Sequence, residues 1–162
     1  MTNTDRGALK IRRAEAGDLD EWMRMRAILW PDCPAATHRE EMKEYLRNEA
    51  GVAFVAARPT RGIAGFVEAT VRPYAECCET RPVGYIEGWY VDADVRRQGV
   101  GERLVRAAEV WARTKKMREM ASDCPLDNDV SRRAHIAIGY EEKERLIHFR
   151  KWLSPRQPRT NR

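Results

Sequence analysis

Between Val83 and Thr114 the chain passes from a largely apolar run, Val83 to Val91, through the turn Arg96-Arg97-Gln98-Gly99-Val100-Gly101 into a stretch with Leu104, Ala107, Ala108 and Trp111 on one helical stripe. A buried strand, a glycine-bearing turn and an amphipathic helix in that order belong to layered α/β architecture. The glycines let the backbone turn tightly, so successive amide N–H groups can face one anion while the helix N-terminus adds its dipole. Such a turn suits a pyrophosphate, although a helix cap that merely contains two glycines has the same letters. It is neither a Walker loop, which requires Gly-Lys-Ser/Thr, nor a three-glycine dinucleotide fingerprint.

The remaining punctuation predicts one mixed domain. Leu9 to Arg13 alternates as a short strand, and Ala14 to Trp30 carries Leu19, Trp22, Met23, Arg26 and Leu29 at helical spacing before Pro31 and Pro34 stop it. A second helix is expected from an N-cap at Thr37, with Glu40 completing a capping box, to Gly51. Val52 to Arg58 and Ile63 to Val71 form a hairpin, and residues 72–82 an irregular loop. A strand over Met117 to Ser122 and a helix over Asn128 to Ile138, ended by Gly139, come next. Two strands close the series, Tyr140 to Glu142 and the alternating Arg145 to Trp152. Residues 1–8 read as a disordered leader, 9–153 as one domain and 154–162 as a basic Pro/Arg-rich tail.

At 162 residues and 43% apolar side chains, the chain can build a core without metal or disulfide staples. No segment approaches a membrane span, and the start MTNTDRGALK lacks the apolar core of a signal peptide, so no membrane partner and a cytoplasmic location are expected. The four cysteines, Cys33, Cys77, Cys78 and Cys124, complete no metal-binding set by spacing; reduced thiols and no metal are expected. The net charge of +5 is concentrated toward the end, at Arg150, Lys151, Arg156, Arg159 and Arg162, which favours a solvated terminus over a nucleic-acid reader.

The strand Glu87-Gly88-Trp89-Tyr90-Val91 followed by Arg96 to Gly101 resembles the GNAT acyltransferase superfamily. Arg118-Glu119-Met120-Ala121-Ser122-Asp123 and Glu141-Glu142-Lys143-Glu144-Arg145 are similar, in order, to the bacterial aminoglycoside 6'-N-acetyltransferase branch. The pattern covers about Leu9 to Leu153. The resemblance implies a mixed, mostly antiparallel sheet splayed between strands 4 and 5 and flanked by about four helices. It also implies acetyl-CoA as cosubstrate, with its pantetheine beside the strand and its pyrophosphate on Arg96, Arg97, Gln98, Gly99, Val100 and Gly101. A homodimer sharing the final strand is a further implication.

Acetyl transfer to an amine requires a free lone pair, a polarised thioester carbonyl and a proton for the leaving thiolate. Asp123, following the strand that opens toward the cofactor, could hold a substrate ammonium and accept its proton; it could equally cap the next helix. Glu87 sits in an apolar run and must meet a cation, from the protein or from the substrate. The backbone amides of Tyr90 and Val91 could polarise the carbonyl. His135 stands four residues before Gly139, where many GNAT enzymes carry a Tyr that protonates the leaving sulfur; a solvated helix histidine is the other reading. Asn128 matches a pantetheine contact or an N-cap. Trp22, Trp30, Glu76 and Glu79 resemble family positions around a polycation cleft, with Trp22 also at core spacing.

The sequence therefore predicts acetyl transfer to the 6'-amino group of aminoglycosides by direct attack in a ternary complex, since no cysteine is expected beside a plausible base that would favour an acyl-enzyme. Acetylation of another amine, such as a polyamine or protein N-terminus, and a non-catalytic acyl-CoA- or RNA-binding module are the alternatives.

Overall fold

The computed structural model describes residues 8–154, so most of the expected leader and basic tail lie outside the described residues. Contacts divide the chain into two compact units, one ending at Pro125 and the other starting at Leu126.

The first unit holds a five-stranded sheet in the order β1 (Lys10–Arg13), β2 (Gly51–Ala57), β3 (Ile63–Arg72), β4 (Val83–Val91), β5 (Met120–Ser122). The first three pairings are antiparallel and the β4–β5 pairing is parallel. Helices α1 (Leu19–Leu29), α2 (Ala35–Arg47) and α3 (Val100–Thr114) complete the unit. Trp22 and Met25 of α1, Met42 of α2, and Val55, Ile63 and Phe66 of the strands form one closed core cluster. Val100, Leu104, Val105 and Ala108 of α3 are also buried. The expected β4 and α3 have the observed limits, because a largely apolar run and a period-3.6 stripe meet there at an unambiguous glycine turn.

Several expected boundaries move, each for a local reason. Residues Ala16–Asp18 form a 3-10 turn ahead of α1, where the Asp18 carboxylate accepts from the Glu15 amide at 2.9 Å and from Arg12 at 2.6 Å. The capping box expected at Thr37 and Glu40 is absent: α2 starts directly after Pro34, and Glu40 pairs with Lys43 at 2.7 Å. Helix α2 stops at Arg47, short of Gly51, because the Asn48 side chain accepts from the Ala50 amide at 2.8 Å and turns the chain away. β5 begins three residues later than the expected Met117, since Lys116 takes a left-handed φ of 63° and Met117 still bonds back to Ala112.

The second unit contains α4 (Asp129–Ala137), with Gly139 at φ 97° beyond its end. The two expected closing strands are not formed among the described residues; residues 140–152 are irregular. Alternation describes which face a strand would bury, but a ladder also requires a partner edge for its backbone groups. Here Ile147 is 76% and Phe149 92% exposed, while Glu142 pairs with Arg145 and Arg132.

Candidate active site

β4 is paired along its whole length to β3, yet β5 meets it only from Gly84 to Ile86. Beyond Ile86 the strand's β5-facing side carries no strand partner among the described residues, which is the splay expected between strands 4 and 5. At the same point the β3 pairing steps from Ala69↔Ile86 to Glu68↔Gly88, making Glu87 the extra residue of a bulge. A bulge re-aims the side chain it carries. Glu87 is thereby turned onto Thr70, whose hydroxyl donates at 2.5 Å, and onto Arg72, whose guanidinium donates twice, at 2.9 and 2.6 Å. Of the two partners left open by the sequence, the protein cation is present as Arg72, and Glu87 also lines a cleft.

That cleft, about 1040 Å³, runs between the sheet and the α1–α2 region and is lined by Trp30, Asp32, Glu41, Glu44, Glu68 and Glu87 among others. Its one lining guanidinium, Arg26, is buried, contacts Glu68 at 3.2 Å, pairs with Glu41 and lies over the Trp30 ring at 4.8 Å. Gly88 makes room for Trp30: a Cβ there would stand 2.3 Å from the indole Cη2. Trp22 is instead wholly buried, donating its Nε1–H to Glu68 at 2.8 Å, so it is a core residue and not a stacking surface. Glu76 and Glu79 are exposed in the 72–82 loop and do not line this cleft. Glu119 ties that loop down, accepting from the Glu79 amide at 2.9 Å and from the Thr80 amide and hydroxyl at 2.5 Å.

Burial pushes the Glu68 carboxyl up to about 8 against the opposing pull of Arg26 and the Trp22 N–H. From the ordinary value of 4.5 to about 8 the folded chain holds a proton here that the unfolded chain has released. Stability from this group therefore declines as pH rises through that window. Glu68→Gln, which cannot ionise, is expected to flatten the fall in melting temperature between pH 5 and 8, and a slope identical to the parent's would contradict this assignment.

Asp123, just past β5, accepts from the Tyr85 hydroxyl at 2.5 Å, and Arg72 lies 3.4 Å over the Tyr85 ring. Burial and the neighbouring Asp123 raise the Tyr85 phenol, which stays a donor. Tyr85 and Arg72 thus link Asp123 to Glu87 across three strands. The helix-cap alternative for Asp123 does not hold, because α4 is capped by Asn128, whose side chain accepts from the Ser131 amide at 3.0 Å.

After β4, Arg24 and Arg58 clamp the turn through Asp92 at 2.9 and 3.2 Å, and Arg58 also holds Asp94 at 2.9 Å. Arg96 donates to the Val91 carbonyl at 2.8 Å, and Gln98 to that of Asp94 at 3.1 Å. Arg97 and Gly99 both take left-handed φ, 60° and 73°. A Cβ on Gly99 would meet nothing within 4 Å, whereas one on Gly101 would stand 2.7 Å from the Trp89 ring. Gly99 therefore fronts open space, whereas the missing side chain of Gly101 makes room for the Trp89 ring.

In the second unit, His135 Nδ1 lies 2.8 Å from the Ser131 carbonyl, which can only accept, so Nδ1 carries a proton. Its ring meets Tyr140 edge-on at 5.6 Å.

Sequence reasoning passed over Arg26, Glu41, Glu68, Arg72 and Tyr85. Glu68 had a legible mark, a lone carboxylate in the apolar run Ile63 to Val71, as Glu87 had in its own strand. Cys33 also adjoins a histidine in space, His38, contrary to the sequence expectation; its thiol nonetheless donates to the Pro34 carbonyl at 3.8 Å.

A half-splayed sheet whose β4 leads through a left-handed glycine turn into a helix is the acetyltransferase arrangement, and the chain belongs to the acetyltransferase (GNAT) family, whose model matches residues 22–140. Among its relatives, the aminoglycoside N(6')-acetyltransferase type 1 of Klebsiella aerogenes is 42% identical over 146 residues, 88% of this chain and 96% of the relative. The protein of that name from Stenotrophomonas maltophilia is 38% identical, over 90% of this chain and 94% of its own. The structure of AAC(6')-Iy in complex with the bisubstrate analogue CoA-S-monomethyl-acetylneamine superposes with a TM-score of 0.84 at 34% identity, covering 90% of this chain and 99% of that one. The complex of AAC(6')-Iy with CoA gives 0.85 at 35% identity, covering 90% and 97%.

Proposed function

We propose that this chain is an acetyl-CoA-dependent aminoglycoside 6'-N-acetyltransferase that confers resistance by neutralising an ammonium which would otherwise contact ribosomal RNA. The observation that carries the reading is the acidic cleft lined by Trp30 and by the carboxylates of Asp32, Glu41, Glu44 and Glu87, the last on the strand that leads into the glycine turn. Carboxylates hold ammonium groups and an indole face packs on a sugar ring. The net charge of the chain is opposite in sign, but a cleft's local field is set by the groups that line it.

The residues fit the cosubstrate. The unpaired side of Glu87 to Val91 can receive an extended amide-bearing chain, including at the backbone of Tyr90 and Val91, and the open space before Gly99 admits phosphate to the amides of Gln98 to Gly101. Bound there, acetyl-CoA supplies the thioester. Arg96 is engaged with Val91 and holds the turn, while the exposed Arg97 remains for phosphate. Asp123 holds the 6'-ammonium and takes its proton, Glu87 adds negative charge, and Tyr85 and Arg72 fix both carboxylates. The proton for the leaving sulfur is assigned to His135 on the family position alone, and Asn128 keeps its expected cofactor role on the same basis beside its capping bond. Attack is read as direct, on an amine freed of its proton by Asp123; the Cys33 thiol donates to the Pro34 carbonyl at 3.8 Å.

Residues 9–153 are read as one catalytic domain, matched over 22–140 by the family model. No helix among the described residues is long and apolar enough to cross a membrane. A cytoplasmic location is part of the proposal, as the place where acetyl-CoA and ribosomes meet. A homodimer is supported by the exposed Ile147, Phe149, Trp152 and Leu153, which a partner's edge would cover. Sedimentation is expected to give twice the 18.8 kDa chain mass at micromolar concentration, and a monomer would count against it.

Release of free CoA on mixing with kanamycin or tobramycin tests the function; turnover with a polyamine or a peptide N-terminus instead, or none at all, would replace it. Within the site, Gly99→Val is expected to raise the acetyl-CoA KM by about tenfold with a modest loss of stability. Gly101→Val is expected to act chiefly on the melt, by about 1–3 kcal/mol, through Trp89. Unchanged acetyl-CoA kinetics in Gly99→Val would remove the phosphate-turn assignment.

A further inference from the structure

We propose that Cys33, His38 and Glu41 form a site for a divalent transition-metal cation of borderline softness, Zn²⁺ above all, at the wall of the acidic cleft. The thiol sulfur, an imidazole nitrogen and a carboxylate oxygen lie within 4.8 Å of one another. His38 and Glu41 stand three apart on α2, hence on one face, and Cys33 sits in the turn that enters the helix. Sulfur, nitrogen and oxygen donors from one short segment make a three-ligand set of the kind that leaves a position for water. In a tetrahedral zinc site neighbouring donors are about 3.3–3.7 Å apart, so small side-chain rotations close the set.

The independent observation is the state of His38. It is 1% exposed, and neither ring nitrogen has a hydrogen-bond partner among the described residues. A buried imidazole with both nitrogens unmet carries a desolvation cost that a metal bond removes. The ring also lines the cleft. Arg26 pairs with one oxygen of Glu41, Oε2, and a carboxylate can keep that partner while offering its other oxygen. Asp32 and Glu44 around the same cleft outweigh the Arg26 charge and favour a dication. Counting cysteines by their spacing missed this group, because only one of the three ligands is a cysteine.

The inference goes beyond acetyl transfer and is tested without it. The full chain, reduced and metal-free, is titrated with Co²⁺ alone and followed by absorption. The expected result is one equivalent bound with a thiolate-to-cobalt charge-transfer band, displaced by Zn²⁺. Cys33→Ser should abolish the band, and His38→Gln and Glu41→Gln should each weaken binding by about tenfold or more. Cys77→Ser with Cys78→Ser should leave it intact. Should His38→Gln melt well below the parent, Cys33→Ser in the exposed turn and Glu41→Gln still decide the question. No band in the parent, a band that survives Cys33→Ser, or one lost with Cys77 and Cys78 overturns the site.

Discussion

Asp123→Asn is expected to lower turnover with a 6'-amino aminoglycoside by roughly 10²-fold or more while acetyl-CoA binding and the thermal melt stay close to the parent. The amide oxygen can still accept from Tyr85, so the 2.5 Å hydrogen bond has a replacement and only charge and basicity disappear. Because Asn128 caps α4, loss of a helix cap is no longer a rival explanation for a dead variant. Tyr85→Phe supplies the comparison: it removes the hydrogen bond, keeps the carboxylate, and should cost far less turnover. Near-normal turnover in Asp123→Asn would end its catalytic assignment, and equal losses in the two variants would make it a partner of Tyr85 and no more.

Gly88→Ala is expected to raise the aminoglycoside KM by about tenfold or more and to destabilise the fold by about 1–3 kcal/mol. The added carbon would lie 2.3 Å from Cη2 and 2.8 Å from Cζ2 of Trp30, too close for either to stay. Trp30 cannot simply step aside, since its ring packs near Phe66 and His38 and carries Arg26 on its face. Trp30→Ala removes the obstacle, so the double variant Trp30→Ala/Gly88→Ala should be more stable than the two single effects summed. Additive losses in that cycle would mean that Gly88 is constrained by something other than the indole.

What the sequence disclosed and what it hid follow from the range of the interactions. β4, the turn and α3 were legible because burial period, glycine placement and helix amphipathicity are all local. Trp30 was legible as a candidate through the family resemblance and Glu87 as a lone carboxylate in an apolar run, and both line the cleft. The bulge at Glu87 was not, because it is a register property of two strands whose letters alone permit either pairing. Arg26 lay on the predicted helical stripe among apolar residues, yet only the arrival of Glu68 from β3 and Glu41 from α2 explains a cation there. The closing strands failed for the complementary reason: alternation at Arg145 to Trp152 records a face to be covered, while a ladder also needs a partner edge, which none of the described residues supplies to it.

The acidic cleft set into a chain of net charge +5 has a consequence for how a polycation arrives. At physiological ionic strength the screening length is about 8 Å. Outside that distance the ion atmosphere erases most of the repulsion from the basic surface, and inside it the visitor faces the carboxylates. Background salt thus sets the distance at which the molecule changes sign for its visitor. The approach is ungoverned by the whole-chain charge, and capture belongs to the last few ångströms.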